Sequence, residues 1–487
     1  MAGVRRAFFW ATFGRYVAMA INLTVTILAV RVVPPASFGV AVLSAAAYAI
    51  AEAVREIGGG AYLIQERELT ADKIRSSITV SLIVSLALAA LLFLGARVIA
   101  RFYGVPEIEH YLHVAVLGFA LGPFVFPALA LMSRELAFGY QALTTISMAL
   151  AGGIATIGLA AGGFSYMAFA WANVAAALVG SVLCFLFRPD LSIYRWSLRE
   201  WRGVVRFGLF DSATALLAAL GEHAPYLLLG RFLNTAGVGI AQRALLLSTF
   251  PERVILAGVG AVALPAFARR VREGGDTRAA YLRAIEMITA VQWPCLMLLA
   301  TLATPLVLFL LSPRWAEVAP LLRILCLAMA FSFPWALQYP VLVALGAVRL
   351  LPWLVAAQAL VNLLAVGLTA PYGLHAVAWG LVVTLPLNAL AAVTIARAYL
   401  KFSWLEFLHA LIKSAFVTAL AGLGPAAMLL LQGGLDGISL TGGLIATILA
   451  GLGWLLGLYV TRHPLRDEAL RIPSLVQRAL SKGQQPA

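Results

Sequence analysis

Apolar stretches of about 20 residues recur along the whole 487-residue chain, and this recurrence limits its fold more than any other feature. Each stretch is long enough to cross the hydrocarbon core of a bilayer as a helix. The composition agrees, because 62% of the residues are hydrophobic and only 11% are charged, whereas soluble chains are about half apolar and a quarter charged. A membrane β-barrel would instead show alternating segments of about 10 residues. The sequence therefore predicts an all-α polytopic membrane protein.

The apolar stretches predict fourteen transmembrane helices. They lie near 10–32, 37–63, 76–98, 111–131, 141–162, 165–187, 204–230, 237–266, 284–311, 319–345, 351–370, 374–396, 412–431 and 440–461. With the N-terminus inside, 26 of the 35 lysines and arginines fall at cytoplasmic ends and loops, and five fall on the opposite side. Both termini are therefore predicted to be cytoplasmic. The same sorting explains the formal charge of +14, so nucleic acid is not expected as a partner.

Two parts of the chain repeat at a constant offset. The segment LAVRVVPPASFGVA (28–41) matches LLGRFLNTAGVGIA (228–241), with Gly39 and Gly239 in equivalent positions 200 residues apart. Six crossings return a chain to the same side of the membrane, so the two copies have the same orientation. The sequence predicts two six-helix lobes, related by a pseudo-twofold axis along the membrane normal, and two C-terminal helices.

This organisation divides the chain into five segments. They are an N-terminal six-helix lobe at 1–187, a cytoplasmic interfacial linker at 188–203, a C-terminal six-helix lobe at 204–400, helices 13 and 14 at 401–461, and a cytoplasmic basic tail at 462–487. The linker is basic and holds Trp196 and Trp201, a composition that suits a segment in the headgroup region.

Charged residues lie inside predicted spans at matching positions of the two lobes. Glu52 and Arg55 fall in the second span, Glu252 and Arg253 fall in the eighth, and the two glutamates are again 200 residues apart. A charge at mid-membrane costs about 2.5–3.5 kcal/mol, so such residues face a bundle interior or a water-filled cavity. We therefore predict that spans 1, 2, 7 and 8 line a cleft between the lobes. The alternative is that the charges only form buried structural pairs.

Spans 1 and 7 carry further polar residues on single helical faces. Arg15, Asn22 and Thr26 share one face of span 1, and Asp211 and Glu222 share one face of span 7. Arginine suits phosphate, because its planar fork binds two oxygens at once. The predicted substrate-binding residues are Arg15, Arg55, Arg253, Arg243, Glu52, Glu252, Asn22 and Glu222.

Three stretches of the chain resemble motifs of bacterial polysaccharide flippases. RVVPPASFGVAVL resembles their R-x-L-x-P-x-x-[FY]-G pattern, and EIGGGAYLIQERELT resembles D-x-G-x-x-x-x-L-I-Q-x-x-x-L-[ST]. LFLLSPRWAEVAPLLRIL resembles the segment between helices 9 and 10. The departures are Glu56 in place of the usual Asp, and Pro34 in place of a pair such as Leu-Thr. The similarity covers about residues 1–400 and indicates the multidrug/oligosaccharidyl-lipid/polysaccharide (MOP) exporter superfamily.

This resemblance implies a two-lobed, V-shaped transporter of the bacterial inner membrane that works by alternating access. It implies that the substrate is a polyprenyl-diphosphate-linked oligosaccharide, such as an exopolysaccharide, capsule or O-antigen (lipopolysaccharide) repeat unit. The substrate would be flipped from the cytoplasmic to the periplasmic leaflet. A polysaccharide polymerase and glycosyltransferases are the further partners it suggests. Two functions of the same superfamily stay open: a lipid II-type peptidoglycan precursor flippase and a cation-coupled multidrug antiporter.

The sequence gives no indication of an enzyme. A membrane glycosyltransferase, polymerase or ligase acting on such glycans would need acidic residues, typically as Asp-x-Asp, and the chain contains no such motif. It also lacks G-x-x-x-x-G-K-[ST], so it is not expected to hydrolyse nucleotide. We expect no metal and no cofactor. Energy would come from an H⁺ or Na⁺ gradient, from the membrane potential, or from downstream consumption of the glycan.

Overall fold

The structure, a computed structural model, describes residues 2–55, 57 and 60–466. Within these residues every regular element is a helix. Glu56 and the predicted basic tail beyond Arg466 lie outside the described residues. The chain divides into two compact units.

The first unit comprises Met1–Gln242 and Leu310–Arg314. Its helices are α1 (Ala2–Val32), α2 (Pro35–Arg55), α3 (Gly60–Gln65), α4 (Ala71–Tyr103), α5 (Glu107–Arg134), α6 (Phe138–Ala161), α7 (Met167–Phe187) and α8 (Trp201–Phe232). In this unit α1 packs on α6, α6 on α7, α4 on α5, and α2 on α8. Small residues permit the α1–α6 contact, since a Cβ at Gly14 would lie 2.7 Å from Ala142 Cβ.

The second unit comprises Arg243–Phe309 and Trp315–Ala487, and α9 (Thr235–Ser248) begins in the first unit and ends in the second. Its other helices are α10 (Phe250–Arg272), α11 (Thr277–Thr301), α12 (Ala303–Leu310), α13 (Val318–Met329), α14 (Trp335–Ala344), α15 (Leu351–Thr369), α16 (Leu374–Leu400), α17 (Trp404–Leu431) and α18 (Leu440–Val460). In this unit α11 packs on α17, α17 on α18, and α10 on α14. Buried aromatic rings, including Tyr281, Phe402 and Phe407, form much of its core.

Twelve helices of the described residues are long and apolar enough to cross a membrane, so the protein is a multi-pass membrane protein. Four of the fourteen predicted spans are each covered by two helices. The span near 37–63 is covered by α2 and α3, the span near 237–266 by α9 and α10, the span near 284–311 by α11 and α12, and the span near 319–345 by α13 and α14. Proline explains the second and the fourth division, because Pro251 lies in the first turn of α10 and Pro334 occupies the N-cap position of α14, and proline cannot continue a preceding helix without losing a hydrogen bond. The count of fourteen stays a prediction.

Polar caps fix where several helices begin. The side chains of Thr70, Asp276, Ser403 and Ser439 accept hydrogen bonds from backbone N–H groups in the first turns of α4, α11, α17 and α18. Such caps satisfy amides that would otherwise have no partner. The first residues of these four helices are therefore determined by the local sequence.

Candidate functional site

The turn between α1 and α2 has the same form as the turn between α8 and α9. Helix α1 ends at Val32 and α2 begins at Pro35, and α8 ends at Phe232 and α9 begins at Thr235. Both boundaries are thus shifted by the 200 residues that the sequence repeat predicts. The repeat is a repeat of backbone structure as well as of sequence.

The two repeated segments cross each other at their glycines. A Cβ on Gly39 would lie 1.7 Å from the carbonyl oxygen of Thr235, and a Cβ on Gly239 would lie 2.5 Å from that of Pro35. Each glycine therefore meets the first residue of the other repeated helix, so the contact has twofold character. The segments 28–41 and 228–241 are therefore in contact at these glycines, and the pseudo-twofold relation of the lobes stays a prediction. The charge pattern predicts that this crossing lies at the periplasmic end of the helices.

Helix α8 follows α2 from this crossing to the opposite end. Near the crossing, Gly230 meets the side chain of Leu43. At the other end, Ser212 Oγ donates a hydrogen bond to Val54 O at 3.3 Å, and a Cβ on Gly208 would lie 2.3 Å from the carbonyl oxygen of Ile57. Two of the four helices that are predicted to line the cleft are therefore packed together along their length.

Arg55 is buried and points into the helices beside it. Its guanidinium donates to Glu52 Oε1 at 2.7 Å and lies 3.9 Å from the ring centroid of Phe126, and only 6% of the residue is exposed. Gly122 makes room for it, because Arg55 Nη1 occupies the space that a Cβ would need. A cation over an aromatic face is stabilised by the ring quadrupole. Arg55 is therefore placed as the alternative of a buried structural pair predicts. Its partner differs, because 37% of the Glu52 side chain is exposed.

Helix α1 exposes its polar face. Arg15 and Asn22 are exposed and Thr26 is half-buried. The helix packs on α6 through other positions, among them Gly14 and Val25. Arg15 and Asn22 are therefore not covered by the helices that the structure describes, and they belong to a helix that is apolar enough to span a membrane.

Helix α8 exposes an acidic face. Glu222, the repeat counterpart of Asn22, is exposed, and Asp211 is half-buried. Asp211 directly precedes Ser212, through which α8 packs on α2, and Glu222 lies about 15 Å further along the helix. The side chains that the sequence assigned to one face of this helix do share that face.

The predicted residues of α9 and α10 differ in their surroundings. Arg253 is exposed, whereas Arg243 is buried and only 4% accessible. Glu252 is half-buried and hydrogen-bonded to Ser332. The cluster Glu252–Arg253 therefore does not copy Glu52–Arg55, since the arginine is buried in one and exposed in the other.

The first unit also holds a polar cavity that the sequence did not predict. Its volume is about 690 Å³, and it lies where α3 ends and where α4 and α8 begin. It is lined by Tyr62, Gln65, Glu66, Arg67, Lys73, Glu200, Gly203, Arg206, Phe207 and Phe210. Two sequence signals pointed to its walls: the LIQERELT part of the flippase-like motif, and the basic segment WRGVVRF at the start of α8.

The fold is shared with solved membrane transporters. The chain is similar to the lipid II flippase MurJ in an inward closed conformation, with a TM-score of 0.74, 12% identity, and coverage of 94% of this chain and 99% of that one. It is also similar to an inward-facing multidrug resistance MATE family transporter of the MOP superfamily, with a TM-score of 0.61, 18% identity, and coverage of 79% and 94%. The chain therefore has the helical fold that these two transporters share, and the arrangement of its helices in two lobes stays a prediction.

The chain belongs to the polysaccharide biosynthesis protein family (Polysacc_synt_3), whose profile matches residues 27–320. It is 24% identical over 291 residues to the teichuronic acid biosynthesis protein TuaB of Bacillus subtilis, covering 57% of this chain. It is 25% identical over 339 residues to the succinoglycan biosynthesis transport protein ExoT of Rhizobium meliloti, covering 68% of this chain. These alignments span 58% and 67% of the two relatives' lengths.

Proposed function

We propose that this protein is a flippase for polyprenyl-diphosphate-linked oligosaccharide, which it carries from the cytoplasmic to the periplasmic leaflet by alternating access. The observation that carries the proposal is the exposure of Arg15, Asn22 and Glu222 on α1 and α8, two helices apolar enough to span a membrane. Charges at such positions need a water-filled cavity. Membership of the polysaccharide biosynthesis family supports a glycan as the cargo.

The charges of the exposed residues favour this cargo. Arg15 offers the fork of donors that binds a diphosphate, and Asn22 and Glu222 offer hydrogen-bond groups for sugar hydroxyls. Arg253 is also exposed, and its predicted role in substrate binding stays a prediction. Arg55 and Glu52 act indirectly in this proposal, because the buried pair fixes the end of α2.

The glycine crossing supports alternating access. With Gly39 against Thr235 and Gly239 against Pro35, the predicted periplasmic ends of α2 and α9 leave no room for cargo between them. Substrate would enter from the other end, and separation of the crossing would release it. A ligand can drive such a change only if it binds the two states with different affinity.

The test is translocation by the purified full-length protein in liposomes. The probe is a fluorescent short-chain polyprenyl-diphosphate disaccharide, and dithionite added outside measures the label that has reached the outer leaflet. We expect wild-type protein to translocate the probe. Arg15→Gln should slow translocation by about tenfold or more, since hydrogen bonds to charged groups contribute about 1.5–3 kcal/mol. Arg349→Gln, at an exposed arginine on another part of the chain, is the matched control and should match the wild type.

Two further probes separate the alternatives. Fluorescent lipid II tests the peptidoglycan branch, which the MurJ-like fold keeps open, and a cationic dye tests the antiporter branch. Faster movement of either probe than of the oligosaccharide lipid would replace the proposed cargo. Equal rates for wild type and Arg15→Gln would remove Arg15 from the site.

A further inference from the structure

We propose that the cavity at the start of α4 and α8 is a sugar-binding site that receives the glycan portion of the substrate before translocation. The identity of the glycan rests on the proposed function. That the cavity binds a sugar is inferred from the residues of the cavity alone. With about 690 Å³, the cavity has the size of pockets that hold small ligands.

Both hydrogen-bond donors and acceptors line the cavity. Arg67, Lys73 and Arg206 provide donors, and Glu66 and Glu200 provide acceptors. A site for free phosphate would need cations without the carboxylates, because carboxylates repel an anion. A sugar hydroxyl both donates and accepts a hydrogen bond, so alternating charged groups match a glycan.

Aromatic rings provide the apolar part of the wall. Phe207 and Phe210 lie on α8, and the ring of Tyr62 lies 5.9 Å from that of Phe207. Phe210 is largely exposed. Sugar rings have an apolar face as well as hydroxyl groups, and pockets that combine apolar walls with a few placed polar groups orient their ligands.

The floor of the cavity is held rigidly before any ligand binds. The guanidinium of Arg134, on α5, donates to four backbone oxygens at and just after the end of α3: those of Leu63, Ile64, Glu66 and Arg67. Lys73 Nζ donates to Glu66 Oε1 at 2.7 Å and to the Glu68 carbonyl at 3.0 Å. A preorganised site loses less conformational entropy when it binds.

The cavity lies at the end of the acidic face of α8. At 100° per residue, Phe207, Asp211 and Glu222 fall within about 60° of one another around the helix. A glycan held beside Phe207 would therefore meet Asp211 and then Glu222 as it moved along α8. This continuity identifies the cavity as an entry site rather than an isolated surface pocket.

The experiment measures binding of lipid-free sugar to the purified full-length protein in nanodiscs. The probe is the oligosaccharide that mild acid releases from the lipid-linked precursor of the source bacterium, and saturation-transfer NMR reports its contacts. We expect Glu200→Gln with Arg206→Gln to weaken binding by about tenfold or more, and Phe210→Ala to remove ring contacts. The matched control is Glu135→Gln with Arg188→Gln, a 2.8 Å ion pair of the same unit outside the cavity, which should bind like wild type.

Inorganic pyrophosphate is the second probe. If the cavity is a sugar site, the cavity variants bind pyrophosphate as the wild type does. Loss of pyrophosphate binding in these variants, or undiminished oligosaccharide binding, overturns the proposal, as does absence of oligosaccharide binding to the wild type. The proposed function fails separately: wild-type protein that binds the oligosaccharide in the cavity but moves no lipid-linked glycan would retain the sugar site and lose the flippase.

Discussion

Adding a methyl group to Gly39 should open the crossing between the repeated segments. A Cβ there would lie 1.7 Å from the Thr235 carbonyl oxygen, whereas non-bonded heavy atoms prefer separations of about 3.5 Å. The oxygen belongs to the backbone and cannot rotate away, so α2 and α9 would have to separate by about 2 Å. Overpacking of this kind costs about 1–3 kcal/mol. The equilibrium between the closed crossing and a state in which α2 and α9 are separated should therefore shift toward the separated state by a factor of about 5–150.

The same geometry predicts a graded series. A Cβ on Gly239 would lie 2.5 Å from the Pro35 oxygen, so Gly239→Ala requires a smaller movement, about 1 Å, to reach the same separation. A Cβ on Gly95 would meet nothing within 4 Å. Opening should therefore fall in the order Gly39→Ala, Gly239→Ala, Gly95→Ala, the last being the control for glycine replacement in a helix.

Cysteine labelling from the periplasm measures the opening. The reporter is Thr26→Cys, on the polar face of α1, in a chain whose native cysteines Cys184, Cys295 and Cys326 are replaced by alanine. A membrane-impermeant maleimide should label the reporter faster in the Gly39→Ala background than in the wild-type background. Unchanged labelling in a well-folded Gly39→Ala protein would show that the crossing does not close the periplasmic end.

Three further predictions concern charged side chains. Arg55→Gln alone leaves Glu52, whose side chain is only about one-third exposed, without its cation. It should therefore lower the melting temperature of the detergent-solubilised protein by more than the double variant Arg55→Gln with Glu52→Gln does; equal losses would contradict the pairing of these two side chains. Arg134→Gln removes four hydrogen bonds to residues 63–67, at and just after the end of α3, and should speed hydrogen exchange there but not in α7. Burial lowers the pKa of His463, which faces Glu286, from 6.5 to about 4, with a smaller contribution from Lys413. The unfolded chain therefore binds more protons than the folded one between these values, so the melting temperature should fall as the pH falls from 6.5 to 4, and His463→Gln should flatten this dependence.

The sequence predicted the elements whose signals are local or repeated. Hydrophobicity over about 20 residues places a spanning helix, and the match of 28–41 with 228–241 predicted helix boundaries that recur 200 residues apart. The division of the spans near 237–266 and 319–345 was missed. The prolines that signal it, Pro251 and Pro334, are local features. A mean hydropathy over about 20 residues stays high when the segment contains a single proline, so it does not reveal the division.

The directions of side chains could not be predicted in the same way. The spacing of Glu52 and Arg55 predicts that the two can pair, because residues three apart share a helical face. It does not reveal that Gly122 and Phe126 provide a space for the guanidinium, since these residues lie on another helix. The polar cavity was missed for the same reason, as its walls come from residues 62–73 and 200–210.

Equivalent positions of the two repeats carry different side chains. Asn22 corresponds to Glu222, and a buried arginine follows Glu52 where an exposed one follows Glu252. A cargo with twofold symmetry would be bound by equal residues in the two copies, because equivalent positions would meet equivalent groups. A lipid-linked glycan has one diphosphate and one hydroxyl-rich portion, and these need a cation at one place and mixed donors and acceptors at another. The glycines of the crossing stay alike because backbone approach is the same in both copies. Asn22 and Glu222, the equivalent residues that are proposed to meet the cargo, differ, which fits a cargo whose parts differ.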